Sequence, residues 1–177
     1  MSFTNRLQKL RQRLVEQEVD AILISQPENR RYLSSFDGSA GYLLITQQRA
    51  ILATDYRYLE QAKKQVHDFE ILQTTNTIGD WLPKLVAELN LKRLGFEAAY
   101  ITFTQYRRLA DILTQSQCLL IPTDKLADSL RAIKEAEEIE LITKAVGITD
   151  SAFEYIQDIL YTGISEKEVA WELEKYL

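Results

Sequence analysis

The side chains of this sequence that could carry out chemistry are few, and they are scattered along the chain. The 177 residues include one histidine, His67, and one cysteine, Cys118. A hydrolytic metal site requires several nitrogen or oxygen ligands that converge on one or two ions. One histidine among scattered carboxylates lacks that spacing. We therefore predict no metal ligand and no catalytic residue within this chain.

One group of acidic residues could be mistaken for a metal site. Its members fall on all sides of a predicted helix, and they are Glu135, Glu137, Glu138 and Glu140. Negative side chains are favourable near the N-terminus of a helix because of the helix dipole. We therefore interpret this cluster as the solvated start of a helix.

The composition excludes several classes of protein. The net charge is −5, so the sequence has no basic footprint for nucleic acid. No run of about 18 apolar residues could span a membrane, and the N-terminus lacks a signal-peptide core. A single cysteine cannot form an internal disulfide, and Cys118 lies in an apolar run where we expect an unreactive buried thiol. Together these features predict a cytoplasmic protein without nucleic-acid or membrane partners.

A loop of small residues, Phe36–Gly41, is the place where we expect a binding site. Its two glycines, Gly38 and Gly41, allow backbone conformations and close approaches that other residues resist. Such a loop is also typical of a tight packing turn between a helix and a strand. The residues alone leave both interpretations open.

The elements around this loop predict an α/β fold with a mixed sheet. Strands alternate with helices of about 10 to 14 residues, and two of the strands form an antiparallel hairpin. The strands after that hairpin are short, and we expect Pro122 to end the last of them. The predicted strands are Ala21–Ile24, Tyr42–Ile45, Ala50–Ala53, Phe69–Leu72, Arg93–Glu97 and Gln117–Ile121.

Capping residues mark where the helices begin. Pro27 opens a short helix, and Asp55 is placed to cap the helix that starts at Tyr56, with Arg57 as its ion-pair partner. After Thr123 no further strand is predicted. A long helix ends near Gly163, and Ser165 begins the final helix with a capping box. We accordingly divide the chain into domains 1–123 and 124–177.

The order of several short motifs resembles one known family. The motifs are Asn29–Leu33, Phe36 followed by Gly38–Gly41, Thr54–Tyr58, and a further match that begins at Arg131. In this order they resemble the N-terminal domain of the creatinase/prolidase/aminopeptidase P family of "pita-bread" metallopeptidases. The resemblance extends over nearly the whole chain and is closest to a bacterial Xaa-Pro dipeptidase.

This resemblance implies a fold and a domain organisation. Residues 1–123 would form a ribonuclease-H-like domain, with a mixed sheet of about six strands and helices on both faces. Residues 124–177 would be a linker and the first two helices of an incomplete pita-bread domain. The residues that bind the family's two divalent metal ions, Mn, Co or Zn, would then lie downstream of Leu177.

The resemblance also implies an activity for the full-length protein. That protein would be a metal-dependent Xaa-Pro dipeptidase or aminopeptidase, and the present chain would be inactive by itself. It would contribute dimerisation and substrate access, with its own catalytic domain, a second subunit and a proline-containing peptide as partners. Two alternatives stay open: a peptidase-like binding module without catalysis, and a creatinase-like amidinohydrolase.

In a homodimer of this family, the N-terminal domain of one subunit can reach over the metal cleft of the other. The resemblance therefore makes the loop and its neighbours the candidate substrate-binding residues, with Asp37 binding the free α-amine of a dipeptide. These candidates are Asp37, Ser39, Tyr32, Arg31, Arg57 and Tyr58.

Overall fold

The computed structural model describes residues 3–74 and 77–177. Six strands form one sheet: β1 (Ala21–Ile24), β2 (Tyr42–Thr46), β3 (Ala50–Asp55), β4 (Glu70–Thr74), β5 (Arg93–Glu97) and β6 (Leu119–Thr123). Eight α-helices accompany them: α1 (Phe3–Glu16), α2 (Pro27–Ser34), α3 (Leu59–Gln65), α4 (Ile78–Glu88), α5 (Phe103–Leu113), α6 (Leu126–Ala132), α7 (Ala136–Ile159) and α8 (Glu166–Tyr176). Short 3₁₀ turns occupy Tyr56–Tyr58 and Thr114–Ser116.

The sheet is mixed, which confirms the predicted fold class. Its strand order is β4-β3-β2-β1-β5-β6. Strand β2 runs antiparallel to both β1 and β3, whereas the β3–β4, β1–β5 and β5–β6 pairs are parallel. Five strands therefore end at one edge of the sheet, called here the carboxyl edge. The loop Phe36–Gly41 leads into β2 at this same edge.

Two hydrophobic clusters cover the two faces of the sheet. Helices α1, α2, α3 and α6 supply the residues of one cluster, and α4 and α5 supply those of the other. Strand β1 is central, so its side chains alternate between the two clusters and all four are buried. This double burial explains why β1 is a continuous apolar run rather than an alternating one.

The expectation that Pro122 ends the last strand was wrong. Strand β6 continues through Pro122, which is in register with Phe96, to Thr123. The amide of Leu119 donates to the carbonyl of Lys92. Because successive residues of a strand face alternate sides, the nitrogen of Pro122 then faces outward, away from β5, where the described residues place no further strand. A proline is therefore compatible with this outermost strand.

The described residues up to Ile133 form one compact unit, and Lys134–Leu177 form a second. The first unit extends ten residues beyond the Thr123 boundary that the sequence suggested, because α6 packs against α1 and α2. In the second unit, α7 and α8 contact each other and the rings of Tyr155 and Tyr176 stack with centroids 4.8 Å apart. The Ser165 capping box of α8 is present, as predicted.

A buried carboxylate joins three elements of the first unit. Glu97, at the end of β5, accepts hydrogen bonds from the backbone amides of Ser25 and Gln26 at 2.6 and 2.8 Å. It also accepts one from the side chain of Asn29 at 2.8 Å, and that amide contacts Asp128 of α6 at 3.2 Å. Asn29 is fully buried. This network holds the start of α2 at the carboxyl edge.

In the part of the chain that the structure describes, no helix is both long and apolar enough to cross a bilayer. Cys118 is buried, and burial raises the pKa of its thiol, as expected for an unreactive cysteine.

Loss of the Glu97 carboxylate should destabilise the first unit. Glu97→Ala leaves the backbone amides of Ser25 and Gln26 without their side-chain acceptor and removes one acceptor of the Asn29 side chain, so we expect the free energy of unfolding to fall by about 2–4 kcal/mol. Urea unfolding can be followed by the fluorescence of buried Trp81 in a Trp171→Phe background. Glu88→Ala is the control, because Glu88 makes an exposed ion pair with Arg49 and such pairs contribute little. Equal losses in the two variants would contradict the role given to Glu97.

Candidate functional site

The loop Phe36–Gly41 is fixed by hydrogen bonds to its backbone. Arg30 of α2 is 3% exposed, and its guanidinium donates to the carbonyls of Gly38 at 2.5 Å and Gly41 at 2.7 Å. The hydroxyl of Thr54, on β3, donates to the carbonyl of Ala40 at 2.7 Å. Three of the loop's carbonyls are thus held by groups from the elements on either side of it.

Aromatic packing beneath the loop explains its first glycine. Phe36 is fully buried, and its ring meets Tyr58 edge-to-face with centroids 6.0 Å apart. A Cβ atom on Gly38 would lie 2.3 Å from Phe36 Cζ and 2.8 Å from Tyr58 Cδ1. Only glycine fits this close approach without a shift of the rings. The loop is therefore a tight packing turn, whatever else it does.

Asp37 projects from this fixed loop as an exposed, oriented carboxylate. Its Oδ1 accepts hydrogen bonds from the side-chain amides of Gln61 at 2.6 Å and Gln65 at 2.7 Å, both from α3. These bonds, that of Gln65 foremost, lower the pKa of Asp37 below its usual value. The carboxyl group is therefore ionised at neutral pH. Protonation at low pH would weaken these hydrogen bonds, because a neutral carboxyl oxygen is a poorer acceptor than a carboxylate oxygen.

Ser39 and Tyr58 lie next to each other at the same loop. Their hydroxyl oxygens are 2.6 Å apart, a hydrogen bond in which either can be the donor. Arg57 forms an ion pair with Asp55 at 2.7 Å, and Asp55 also accepts the backbone amide of Arg57. The capping and ion-pairing roles predicted for these two residues are confirmed. The ion pair lowers the pKa of Asp55 through the hydrogen bonds that Arg57 donates.

The remaining candidates, Arg31 and Tyr32, are placed differently from each other. Arg31 is exposed and adds a favourable electrostatic interaction to ionised Asp37. Tyr32 is 7% exposed within the hydrophobic cluster, where the guanidinium of Arg6 lies 4.2 Å from its ring centroid. The structure thus groups Asp37, Ser39 and Tyr58 around the loop, whereas Tyr32 is a packing residue below it.

The described residues do not fit a metal pair. No group of three or more histidine, cysteine, aspartate or glutamate side chains in residues 3–74 and 77–177 could hold a metal ion. His67 is exposed. In the acidic cluster, Glu138 accepts the backbone amide of Glu135 at 3.0 Å, which is a helix-capping arrangement.

A pocket beside the loop was not found by sequence reasoning. It has a volume of about 390 Å³ and lies at the carboxyl edge, where β1, the start of β2 and helix α5 meet. Its polar wall includes Arg30, Tyr42, Tyr100 and Arg108. The pocket lies at a topological switch point: β1 and β5 are parallel neighbours, and the helices that follow them, α2 and α5, cover opposite faces of the sheet. Ligands of α/β sheets often bind at such a point.

Comparison with known proteins agrees with this architecture. The Creatinase/Prolidase N-terminal domain family matches residues 6–133. An uncharacterized peptidase of Bacillus subtilis, YqhT, is 37% identical over 172 residues, which is 97% of this chain and 48% of that protein. The chain therefore spans about half the length of this relative, and 45% of a putative Xaa-Pro aminopeptidase of Mycoplasma pneumoniae that it matches at 28% identity.

Two solved structures define the likeness more closely. The Xaa-Pro dipeptidase from Bacillus anthracis matches with a TM-score of 0.92 and 38% identity, over 99% of this chain and 48% of that one. The N-terminal domain of the cytoplasmic peptidase PepQ from Mycobacterium tuberculosis matches with a TM-score of 0.66 and 35% identity, over 71% of this chain and 98% of that domain. With a family match over residues 6–133 and a sheet that these structures share, this chain belongs to the creatinase/prolidase N-terminal domain family.

Proposed function

We propose that this chain is the N-terminal part of a metal-dependent Xaa-Pro dipeptidase or aminopeptidase that acts in the cytoplasm. The observation that carries the proposal is the likeness of almost the whole chain to half of a bacterial Xaa-Pro dipeptidase. Since the described residues lack a metal-binding cluster, the two divalent ions, Mn, Co or Zn, would be held by residues after Leu177. The peptide bond before proline would be hydrolysed there.

We propose further that residues 134–177 are the first two helices of that catalytic domain. Several large apolar side chains of α7 and α8 are exposed, and they include Ile139, Leu141, Val146, Phe153 and Trp171. Apolar surface of this extent favours burial against further structure. A catalytic sheet packed on these helices would provide it.

The loop Phe36–Gly41 would act on substrate across a homodimer. Asp37 supports this role because it is exposed, ionised at neutral pH and oriented by two glutamines. A dipeptide carries a protonated α-amine, which is the complementary charge. Arg31 interacts favourably with Asp37, and the hydrogen-bonded pair Ser39 and Tyr58 lies at the same loop; these residues would also contact the substrate.

Substitution of Asp37 tests the proposed amine contact. In the full-length enzyme, we expect Asp37→Ala to lower kcat/KM for Xaa-Pro dipeptides by about tenfold or more, because a charge-assisted hydrogen bond is lost. The preference for a free amine over an N-acetylated substrate should fall in parallel. Asp111→Ala changes another exposed aspartate, on α5, and serves as the control. An unchanged kcat/KM in Asp37→Ala would refute the contact.

The shape of the loop can be tested separately from its charge. Gly38→Ala places a methyl group against Phe36 and Tyr58, so we expect unfolding free energy to fall by about 1–3 kcal/mol. Activity of the full-length enzyme should fall as well, since Asp37 would be displaced. Gly147→Ala is a contrasting variant: its Cβ meets no atom within 4 Å, and alanine should stabilise α7 by about 0.5–1 kcal/mol. A Gly38→Ala protein with unchanged stability would argue against the packing described here.

The 177-residue chain should be inactive on its own. Purified chain assayed on Xaa-Pro dipeptides with manganese, cobalt and zinc is expected to give no turnover above buffer, while the full-length protein does. Metal-dependent hydrolysis by the short chain would overturn the proposed placement of the ligands. Inactivity of the full-length protein as well would favour the binding-module alternative.

A further inference from the structure

The pocket at the carboxyl edge has a consistent electrostatic character. Two arginines, Arg30 and Arg108, belong to its wall, and among the residues that the structure describes no aspartate or glutamate lines it. The pocket is also open to solvent-sized molecules, with a volume of about 390 Å³, within the range of small-molecule sites in proteins. A cavity with two cations and no carboxylate in its wall favours an anionic occupant.

The buried arginine is incompletely compensated. Arg30 is 3% exposed, and its hydrogen bonds in the described chain go to two backbone carbonyls rather than to a carboxylate. Its Nε is buried and has no hydrogen-bond acceptor among the described residues. Burial lowers the pKa of Arg30 although the charges of Glu28 and Glu97 act in the opposite direction, which reflects the cost of keeping this guanidinium away from water. An anion in the adjoining pocket would offset that cost.

Further donors at the pocket are also unoccupied. Arg108 is exposed and makes no hydrogen bond or ion pair with the described residues. The hydroxyls of Tyr42 and Tyr100 likewise have no hydrogen-bond partner in the described ranges. Arginine and tyrosine side chains together are a donor set suited to a carboxylate or phosphate group.

Part of the wall is apolar, which argues for an organic ligand. Leu23, Ile78, Ile101 and Leu109 line this part of the pocket. A dianionic inorganic phosphate would have to be desolvated against these side chains without gain. A ligand with a single negative charge and an apolar body would contact both the arginine and tyrosine side chains and the apolar side chains of the wall.

We propose that the pocket between Arg30 and Arg108 binds a small organic carboxylate. The carboxylate lies against Arg108, Tyr42 and Tyr100 and compensates the buried charge of Arg30. The apolar part of the ligand packs against Leu23, Ile78, Ile101 and Leu109. The pocket shares Ser39, Ala40 and Gly41 with the loop Phe36–Gly41, but binding of a carboxylate there does not require peptide hydrolysis.

The test uses benzoate as the probe and the 177-residue chain. In an amide NMR titration, we expect saturable shifts around Ser25, Gly41, Tyr42 and Gln105, with a Kd of about 1 mM or tighter. Arg108→Gln should weaken binding about tenfold or more, because a charged hydrogen-bond donor is lost. Arg107→Gln is the matched control, since Arg107 is exposed on the same helix and does not line the pocket. Its Kd should stay within about twofold of the unchanged chain.

The controls on the ligand separate the competing explanations. Benzamide lacks the negative charge and should bind at least about tenfold more weakly than benzoate. Inorganic phosphate lacks the apolar body and should not compete with benzoate at equal concentration. The proposal is overturned if benzoate gives no saturable shifts, if benzamide or phosphate binds as well, or if the two arginine variants weaken binding equally. None of these results depends on whether the full-length protein hydrolyses peptides.

Discussion

The buried guanidinium of Arg30 is the interaction on which the carboxyl edge of this domain depends. It lies on α2, yet its hydrogen bonds go to the loop that leads into β2. A positive charge so far from water is costly unless its donors are occupied. The loop carbonyls occupy two of them, so the helix and the loop stabilise each other. The positions of Asp37, Ser39 and one wall of the pocket follow from that arrangement.

The Glu97 network completes the same edge from the other side. Its carboxylate satisfies the two amides at the start of α2, while Asn29 extends the contact to Asp128 on α6. Asp128 in turn pairs with Arg131 at 3.1 Å. Two motifs that lie a hundred residues apart, Asn29–Leu33 and the segment around Arg131, are thus linked through one hydrogen-bonded chain. Their shared role is to position α2 and α6 on the sheet.

Much of this fold could be predicted from the sequence, because its signals are local. Central strands are apolar runs bounded by turn residues. Capping residues such as Asp55 and Ser165 accept hydrogen bonds from backbone amides no more than three residues away. The prediction for Pro122 was wrong because a strand tolerates proline at the edge of a sheet. Whether a strand lies at the edge depends on its neighbours in the sheet, which are distant in sequence. The burial of Tyr32 depends equally on distant partners, here the helix α1. The pocket was missed for the same reason: Arg30 and Arg108 are far apart in the sequence, and only the sheet brings them to one cavity.

The outward-facing nitrogen of Pro122 has a consequence for how this protein meets other chains. An exposed strand at the margin of a sheet can recruit a further strand from a neighbouring molecule, and this is a common route to aggregation. A proline there offers no amide hydrogen to an incoming backbone, so the ladder would be interrupted at Pro122, near the end of β6. The strand therefore discourages self-association through this margin, even though Leu119, the first residue of β6, is exposed.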